Sequence, residues 1–212
     1  EDFETAVHDL IKEYMTEHQR IIFNGNGYSD EWVVEAEKRG LPNIKSMIEA
    51  ASTLTSEKAV ALFEKFGIYT KAELESREEI IYETYAKTIN IEALTMIDMA
   101  GKQIIPAVVK YTKTLADTAN AIKAAGGDAS VQTELLADVS TKLAAMQKEL
   151  NKLVADEKEA SAMEDVKAQA FFYKDTIKAT MDELRKPADE LEMIVDKDVW
   201  PIPTYGELMF EV

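Results

Sequence analysis

Apolar residues recur at three- and four-residue spacing along most of the chain, which is the pattern of amphipathic α-helices. Residues 2–20 are predicted to form the first helix, and its apolar face consists of Phe3, Val7, Leu10, Ile11 and Tyr14. Shorter helices are predicted over roughly 30–39, 44–51 and 57–66. Gly40 and Gly67 stop two of them, and Thr70 with Glu73 forms a capping-box signature that opens a much longer helix.

From Thr70 the helical pattern hardly stops before residue 124. A heptad seam runs through Leu94, Ile97, Gly101, Ile104, Val108, Tyr111 and Leu115. Pro106 removes one backbone donor from this run and predicts a kink near Lys102. Two further long helices are predicted over 130–158 and 162–195, with Pro187 as a second candidate kink. Because short loops force antiparallel packing, the predicted fold class is all-α: an elongated antiparallel helical bundle with shorter N-terminal helices and an extended C-terminal tail.

The final stretch, VWPIPTYGELMFEV, breaks the helical periodicity. Pro201 and Pro203 lie one residue apart and predict an extended path. The apolar side chains of this stretch require burial against some surface, and they are Trp200, Ile202, Tyr205, Leu208, Met209 and Phe210.

The charge of the chain narrows the classes of partner. Its 212 residues include 40 acidic and 24 basic ones, for a net charge of −16. Such a field repels phosphate backbones and anionic lipids, so neither nucleic acid nor a membrane is an expected partner. The chain has no cysteine, which excludes disulfides and zinc–thiolate sites and fits a cytoplasmic location. It starts at Glu1 without a methionine, which we interpret as the sign of a fragment of a longer polypeptide or of a processed chain.

Candidate chemistry is sparse. Five glutamates from Glu73 to Glu83 line one stretch of helix, and we interpret them as a solvated acidic face: Glu73, Glu75, Glu78, Glu79 and Glu83. Di-metal sites in bundles use Glu-x-x-His pairs, whereas His8 and His18 both precede the long helices. No catalytic, cofactor-binding or metal-binding residue is therefore expected in this chain.

The segment IIFNGNGYSDEW, residues 21–32, has the glycines of a phosphate-binding turn but not its chemistry. No lysine follows Gly27, and Asp30 and Glu31 already occupy the positive end of the next helix dipole. Asn24 to Gly27 tolerate positive φ, so a tight turn explains them without a ligand.

Three segments resemble the C-terminal region of the glutamine synthetase family, and in particular its long-chain type III bacterial members. They are RIIFNGNGYSDEWVVEAEKRGLPN, ALFEKFGIYTKAELESREEIIYETYAKTINIEALTMIDM and PTYGELMFEV. The type I enzymes are similar but lack about a hundred residues between the second and third segments. The predicted organisation is a helix at the exit of a missing catalytic domain (1–20), a turn and short helices leading into the long helix (21–90), an inserted helical bundle (91–198) and an extended tail (199–212).

The resemblance implies that the parent protein ligates ammonia to glutamate with ATP, through γ-glutamyl phosphate and divalent Mg or Mn. The family's catalytic motifs are absent from this chain, so the resemblance assigns it no catalytic residue and no cofactor. A loop tyrosine near Tyr28 is adenylylated in type I enzymes, but the surrounding sequence departs from theirs and modification is not expected here.

The tail is the remaining functional candidate. In the family it helps to hold subunits and rings together, so the implied partners are the chain's own catalytic domain and the neighbouring subunits of a homo-oligomeric ring. The candidate interface residues are Trp200, Pro201, Pro203, Tyr205, Leu208 and Phe210. Folding of the tail onto its own bundle is the competing interpretation. The alternative function is a non-enzymatic helical scaffold or sensor domain that binds a partner helix or a small effector.

Overall fold

The computed structural model describes residues 2–210, apart from the side chain of Tyr205, and that part of the chain contains helices and no strand. The α-helices are α1 (Phe3–Glu17), α2 (Asp30–Lys38), α3 (Met47–Ala51), α4 (Glu57–Lys65), α5 (Lys71–Met99), α6 (Ile105–Ala124), α7 (Ser130–Ser161), α8 (Val166–Phe172), α9 (Lys178–Glu192) and α10 (Tyr205–Phe210). One 3₁₀ turn (Gln19–Ile21) and two π-helical turns (Ala100–Ile104 and Tyr173–Ile177) complete the structure. The all-α prediction is confirmed. None of the described helices is both long and apolar enough to cross a membrane.

The chain divides into two compact units, Glu1–Ala50 and Ala51–Val212. In the first unit, α2 ends as its sequence predicts. Gly40 adopts a positive φ of 70°, and the Leu41 N–H donates to the Ala36 carbonyl at 2.9 Å. This six-to-one bond is the helix C-cap that only glycine forms without strain.

The second unit begins with two helices that are capped as predicted. Ser56 Oγ accepts the Ala59 N–H at the start of α4, and Gly67 follows its end with a φ of 62°. At the start of α5, Thr70 N–H donates to Glu73 Oε2 at 2.8 Å, and Glu73 N–H donates back to Thr70 Oγ1 at 3.4 Å. This reciprocal pair is a capping box.

In the described part of the second unit, three long helical segments surround one apolar core. The first is α5, a π turn and α6; the second is α7; the third is α8, a π turn and α9. The loops between them are short, so the segments run antiparallel. The α7 helix packs on both α6 and α9, while α5 packs on α8. The predicted boundary between residues 90 and 91 lies inside α5.

The predicted heptad seam holds only in its second half. Ile104, Val108 and Leu115 are buried, but Leu94 is 46% exposed, and Ala93 and Ala100 are buried in place of the predicted Leu94 and Gly101. The π turn at Ala100–Ile104 explains the one-residue offset, because it inserts one extra residue and rotates the helix face.

The two proline predictions have different outcomes. The α-helix changes to a π turn at Ala100–Ile104, which includes Lys102 and ends two residues before Pro106. Pro187, by contrast, is buried within an uninterrupted α9. The second π turn lies earlier, at Tyr173–Ile177, where neither glycine nor proline marks it.

The tail is only partly extended. Residues 200–204 follow the predicted non-helical path, but Tyr205–Phe210 forms α10. The prediction of an extended tail is therefore wrong for residues 205–210. Thr204 and Glu207 form the same threonine–glutamate pair that opens α5, and this local signal starts the helix directly after the second proline.

Candidate functional site

The predicted interface residues of the tail lie in two different environments. Trp200 is buried, at 8% exposure, within the core of its own unit, and Ile202 packs against the same core. Pro201 and Pro203 are exposed. Leu208 and Phe210 are 68% and 79% exposed, and the side chain of Tyr205 lies outside the described part of the structure. Trp200 thus anchors the tail to its own bundle, while Leu208 and Phe210 are accessible to a partner.

A charged clasp fixes the start of α10. Lys197 Nζ donates to Glu207 Oε1 at 2.8 Å, and the Thr204 N–H and hydroxyl donate to Glu207 Oε2 at 2.8 and 3.1 Å. The bond from Lys197, helped by those from Thr204, lowers the pKa of Glu207 from 4.5 to about 2. The carboxylate therefore stays ionised at any physiological pH, and it joins Lys197 and Thr204 to the first turn of α10.

An open apolar groove lies next to the tail, between α5 and α9. It encloses about 510 Å³, and Ile202 of the tail forms part of its wall. Its floor is made of buried side chains from the core, among them Ile104, Met146 and Leu184. Met96, Met99 and Met181 also line it. No local sequence pattern marks this groove, because its wall combines residues that are about a hundred positions apart.

Among the described residues of the second unit, Glu78 is the carboxylate that is buried. The prediction that it belongs to a solvated acidic face is therefore wrong. The residue is 7% exposed. Thr55 Oγ1 donates to Glu78 Oε2 at 2.6 Å, Tyr82 OH donates to Oε1 at 2.6 Å, and Lys167 Nζ donates to Oε1 at 3.3 Å. The Tyr82 hydroxyl also lies 2.7 Å from Ser52 Oγ. The network joins the loop after α3 to α5 and α8.

The environment of Glu78 acts on its pKa in two directions. Burial raises the pKa, but the hydrogen bonds from Thr55, Tyr82 and Lys167 outweigh burial and hold it below the ordinary value of 4.5. Glu78 is therefore a satisfied structural carboxylate at neutral pH. The other four glutamates of the predicted acidic face are exposed, as expected.

A second hydrogen-bond network crosses the bundle beside the π turn at Tyr173–Ile177, and it connects α5 with α7 and with that turn. Asn90 Nδ2 donates to Tyr173 OH at 2.6 Å and to Glu157 Oε1 at 3.0 Å. Ser161 Oγ donates to the same Glu157 oxygen at 2.5 Å. Because Tyr173 is 2% exposed, these bonds satisfy a hydroxyl in the core.

In the first unit, Arg39 binds the segment that the sequence suggested as a turn. Its Nη1 donates to the Ile22 carbonyl, and its Nε donates to Glu35 Oε1 at 2.7 Å. The guanidinium also lies 6.0 and 5.9 Å from the ring centroids of Phe23 and Trp32, which are 4.5 Å from each other. Arg39 thus ties the chain before the glycines to α2.

The glycine–asparagine segment forms a turn, as predicted, but the turn does not use the positive φ angles that were the reason for the prediction. Asn26 Oδ1 accepts the Tyr28 N–H at 3.0 Å and the Asn26 carbonyl accepts Ser29 Oγ at 2.9 Å, which closes the turn. Positive φ occurs at Gly40, Gly67 and Gly126 and not in this segment. Close packing instead favours glycine at position 25, because a Cβ there would lie 2.7 Å from Phe23 Cε1 and the ring would have to shift.

The histidines and carboxylates form no recognisable metal centre in the described residues, where no group of three or more potential ligands converges. His8 and His18 are exposed on or next to α1, and His8 Nδ1 lies 3.1 Å from Asp9 Oδ1.

Comparison with known proteins identifies the family. A family model described as "Glutamine synthetase C-terminal domain" matches residues 6–123, which include most of α1 and continue into α6. The chain belongs to this family. The matched range includes Arg39 and Glu78 with their bonding partners Ile22, Glu35, Thr55 and Tyr82, whereas the tail lies beyond this range.

Relatives in this family align with the whole chain. A glutamine synthetase of Butyrivibrio fibrisolvens is 39% identical over 214 residues, which cover 100% of this chain and 31% of that protein. A type-3 glutamine synthetase of Dictyostelium discoideum is 34% identical over 98% of this chain and 29% of its own length. A glutamine synthetase of Bacteroides fragilis is 30% identical over 97% of this chain and 29% of its own length. The chain therefore spans about 30% of the length of these relatives, and the resemblance inferred from the sequence is confirmed.

Proposed function

We propose that this chain is the non-catalytic C-terminal part of a longer glutamine synthetase of the type III class. That enzyme would ligate ammonia to glutamate, with ATP and divalent Mg or Mn bound by the remainder of the polypeptide. The observation that carries the proposal is the match to glutamine synthetases over 97–100% of this chain and 29–31% of theirs. We assign the enzyme to the cytoplasm, in keeping with the cysteine-free sequence.

Within that enzyme, the chain supports assembly. Its partners are its own catalytic domain and the neighbouring subunits of a homo-oligomeric ring, and residues 91–198 form a bundle inserted before the tail. The clasp at Glu207 joins α10 to Lys197, while Leu208 and Phe210 remain exposed. Large exposed apolar side chains of this kind are suited to burial in a subunit interface.

The test uses the full-length protein with and without residues 205–212. This truncation keeps Trp200 and Ile202, which are the described tail residues that belong to the core or pack against it. Light scattering should show a smaller oligomer after truncation, and glutamine formation should fall with it. As a matched control, Met193→Ser removes an 84% exposed methionine outside the tail and should leave the oligomer unchanged. An unchanged oligomer after truncation would refute the assembly role.

A scaffold or sensor domain that binds a small effector is the second candidate, and the apolar groove of about 510 Å³ is the observation in its favour. The two candidates differ in one measurement. If the full-length protein forms no glutamine from glutamate, ammonia and ATP, the enzymatic proposal fails and the scaffold candidate stands.

A further inference from the structure

Helix α1 carries an apolar stripe that no described residue covers. Its members are Phe3, Val7, Leu10, Ile11 and Tyr14, with exposures between 38% and 79%. They fall within about 100° of arc, because an α-helix turns by about 100° per residue. No residue of this 15-residue helix is buried. An isolated helix of this length is marginally stable in water, so an amphipathic face is normally needed to hold it in place.

The charges beside the stripe restrict what can cover it. Glu4 and Glu13 flank the stripe on its two sides, and Glu17 adds a further acidic side chain near its C-terminal end. Lys12 lies on the opposite face. A surface that complements α1 is therefore an apolar groove with basic side chains at its rim. A second copy of this chain is a poor match, because each copy carries a net charge of −16.

We infer that the stripe docks onto the remainder of the longer polypeptide, in an apolar groove edged by lysine or arginine side chains. The inference rests on the proposed function. It is supported by the length of chain outside the structure, since these 212 residues align with only 29–31% of the relatives. The docking gives α1 a positioning role: it fixes the point at which the helical part joins the rest of the enzyme.

The experiment places a photo-cross-linking benzoylphenylalanine at position 10 of the full-length protein, in place of Leu10. The matched control carries the same group in place of Lys12, on the opposite face of α1. Neither substitution removes a buried side chain, because α1 has none. After irradiation, the linked peptides are identified by mass spectrometry, and intermolecular links are separated by their doubled mass.

We expect position 10 to cross-link within one polypeptide to a segment outside residues 1–212, with a yield at least several-fold above that of position 12. Links from position 10 to residues 51–212, links to a second copy, or a yield no higher than the control would each overturn the inference. Glutamine formation is assayed separately on the unsubstituted full-length protein. Activity of that protein together with the wrong cross-links from position 10 refutes the docking alone, whereas an inactive unsubstituted protein refutes the proposed function.

Discussion

Replacement of Glu78 by glutamine removes a buried charge while nearly preserving the volume of the side chain. The carboxylate accepts bonds from Thr55, Tyr82 and Lys167. Glutamine keeps one acceptor oxygen and puts an amide donor in place of the other, so one hydroxyl must rotate or lose its partner. The substitution therefore changes the charge and the hydrogen bonds of the network while its packing stays nearly the same.

The expected loss of stability follows from the bonds that Glu78 accepts. Hydrogen bonds to a charged group contribute about 1.5–3 kcal/mol each, but they are not additive within one network. The side chain of Lys167 is 54% exposed, so its ion pair adds no more than about 1 kcal/mol. Tyr82 keeps its contact with Ser52 when Glu78 changes. We therefore expect Glu78→Gln to lower the free energy of unfolding by about 1–2 kcal/mol, and Glu78→Ala by about 2–3 kcal/mol.

The assay is urea unfolding followed by far-ultraviolet circular dichroism at pH 7. Glu79→Gln is the matched control, because Glu79 is exposed on the same helix and the substitution changes the net charge equally. The control should shift the free energy of unfolding by less than about 0.5 kcal/mol. Equal losses for Glu78→Gln and Glu79→Gln would show that net charge, and not the buried network, accounts for the change.

The pH dependence of the difference has a definite sign. The pKa of Glu78 is held below 4.5 in the folded protein, where hydrogen bonds outweigh burial. Its ionised form therefore stabilises the fold fully above pH 4.5, and this stabilisation is lost as the pH falls through the folded value. The stability gap between the wild type and Glu78→Gln should be widest at pH 7 and should narrow below pH 4.5. A gap of constant size down to pH 3.5 would contradict this account.

Three further predictions concern other parts of the chain. Gly25→Ala should destabilise the first unit by about 1–2 kcal/mol in thermal unfolding, because the added Cβ would overlap the ring of Phe23. Gly27→Ala is the control, because a Cβ at that position meets no atom within 4 Å. Equal losses of stability for the two variants would refute the packing argument. The carboxyl carbon of Glu207 should titrate near pH 2 by NMR, with the clasp present above pH 4.5 and lost only as the pH falls through about 2; an ordinary value would show that the clasp does not form. Tyr173→Phe should cost about 1 kcal/mol in urea unfolding, and no loss would mean that its hydroxyl is not needed as an acceptor in the core.

The features that could be predicted from the sequence are those determined by a few neighbouring residues. Gly40 and Gly67 ended helices as expected, and Thr70 with Glu73 opened one. Thr204 and Glu207 carry the same capping-box signal, but the two preceding prolines predict an extended path. Proline restricts its own φ and the residue before it, whereas it leaves the following residues free to form a helix.

The features that could not be predicted depend on distant partners. Glu78 resembles its exposed neighbours in sequence, and its burial is determined by Thr55 and Lys167, which are 23 and 89 positions away. The preference for glycine at position 25 comes from the placement of an aromatic ring and not from backbone conformation. The π turn at Tyr173–Ile177 has no local marker, and it lies where Asn90 meets the Tyr173 hydroxyl.

The C-terminal stretch divides into two parts that differ in burial. Trp200 belongs to the core, and loss of a buried tryptophan typically costs about 3–5 kcal/mol, so any change there reports on the stability of the bundle first. Beyond Thr204, the large apolar side chains of known exposure are all exposed, from Leu208 to Phe210. These three side chains contribute little burial within the chain, so an effect of their replacement on the oligomer would come from contacts outside it. The clasp at Glu207 connects the two parts, because Lys197, which precedes Trp200 and has a 69% exposed side chain, bonds a carboxylate in the first turn of α10.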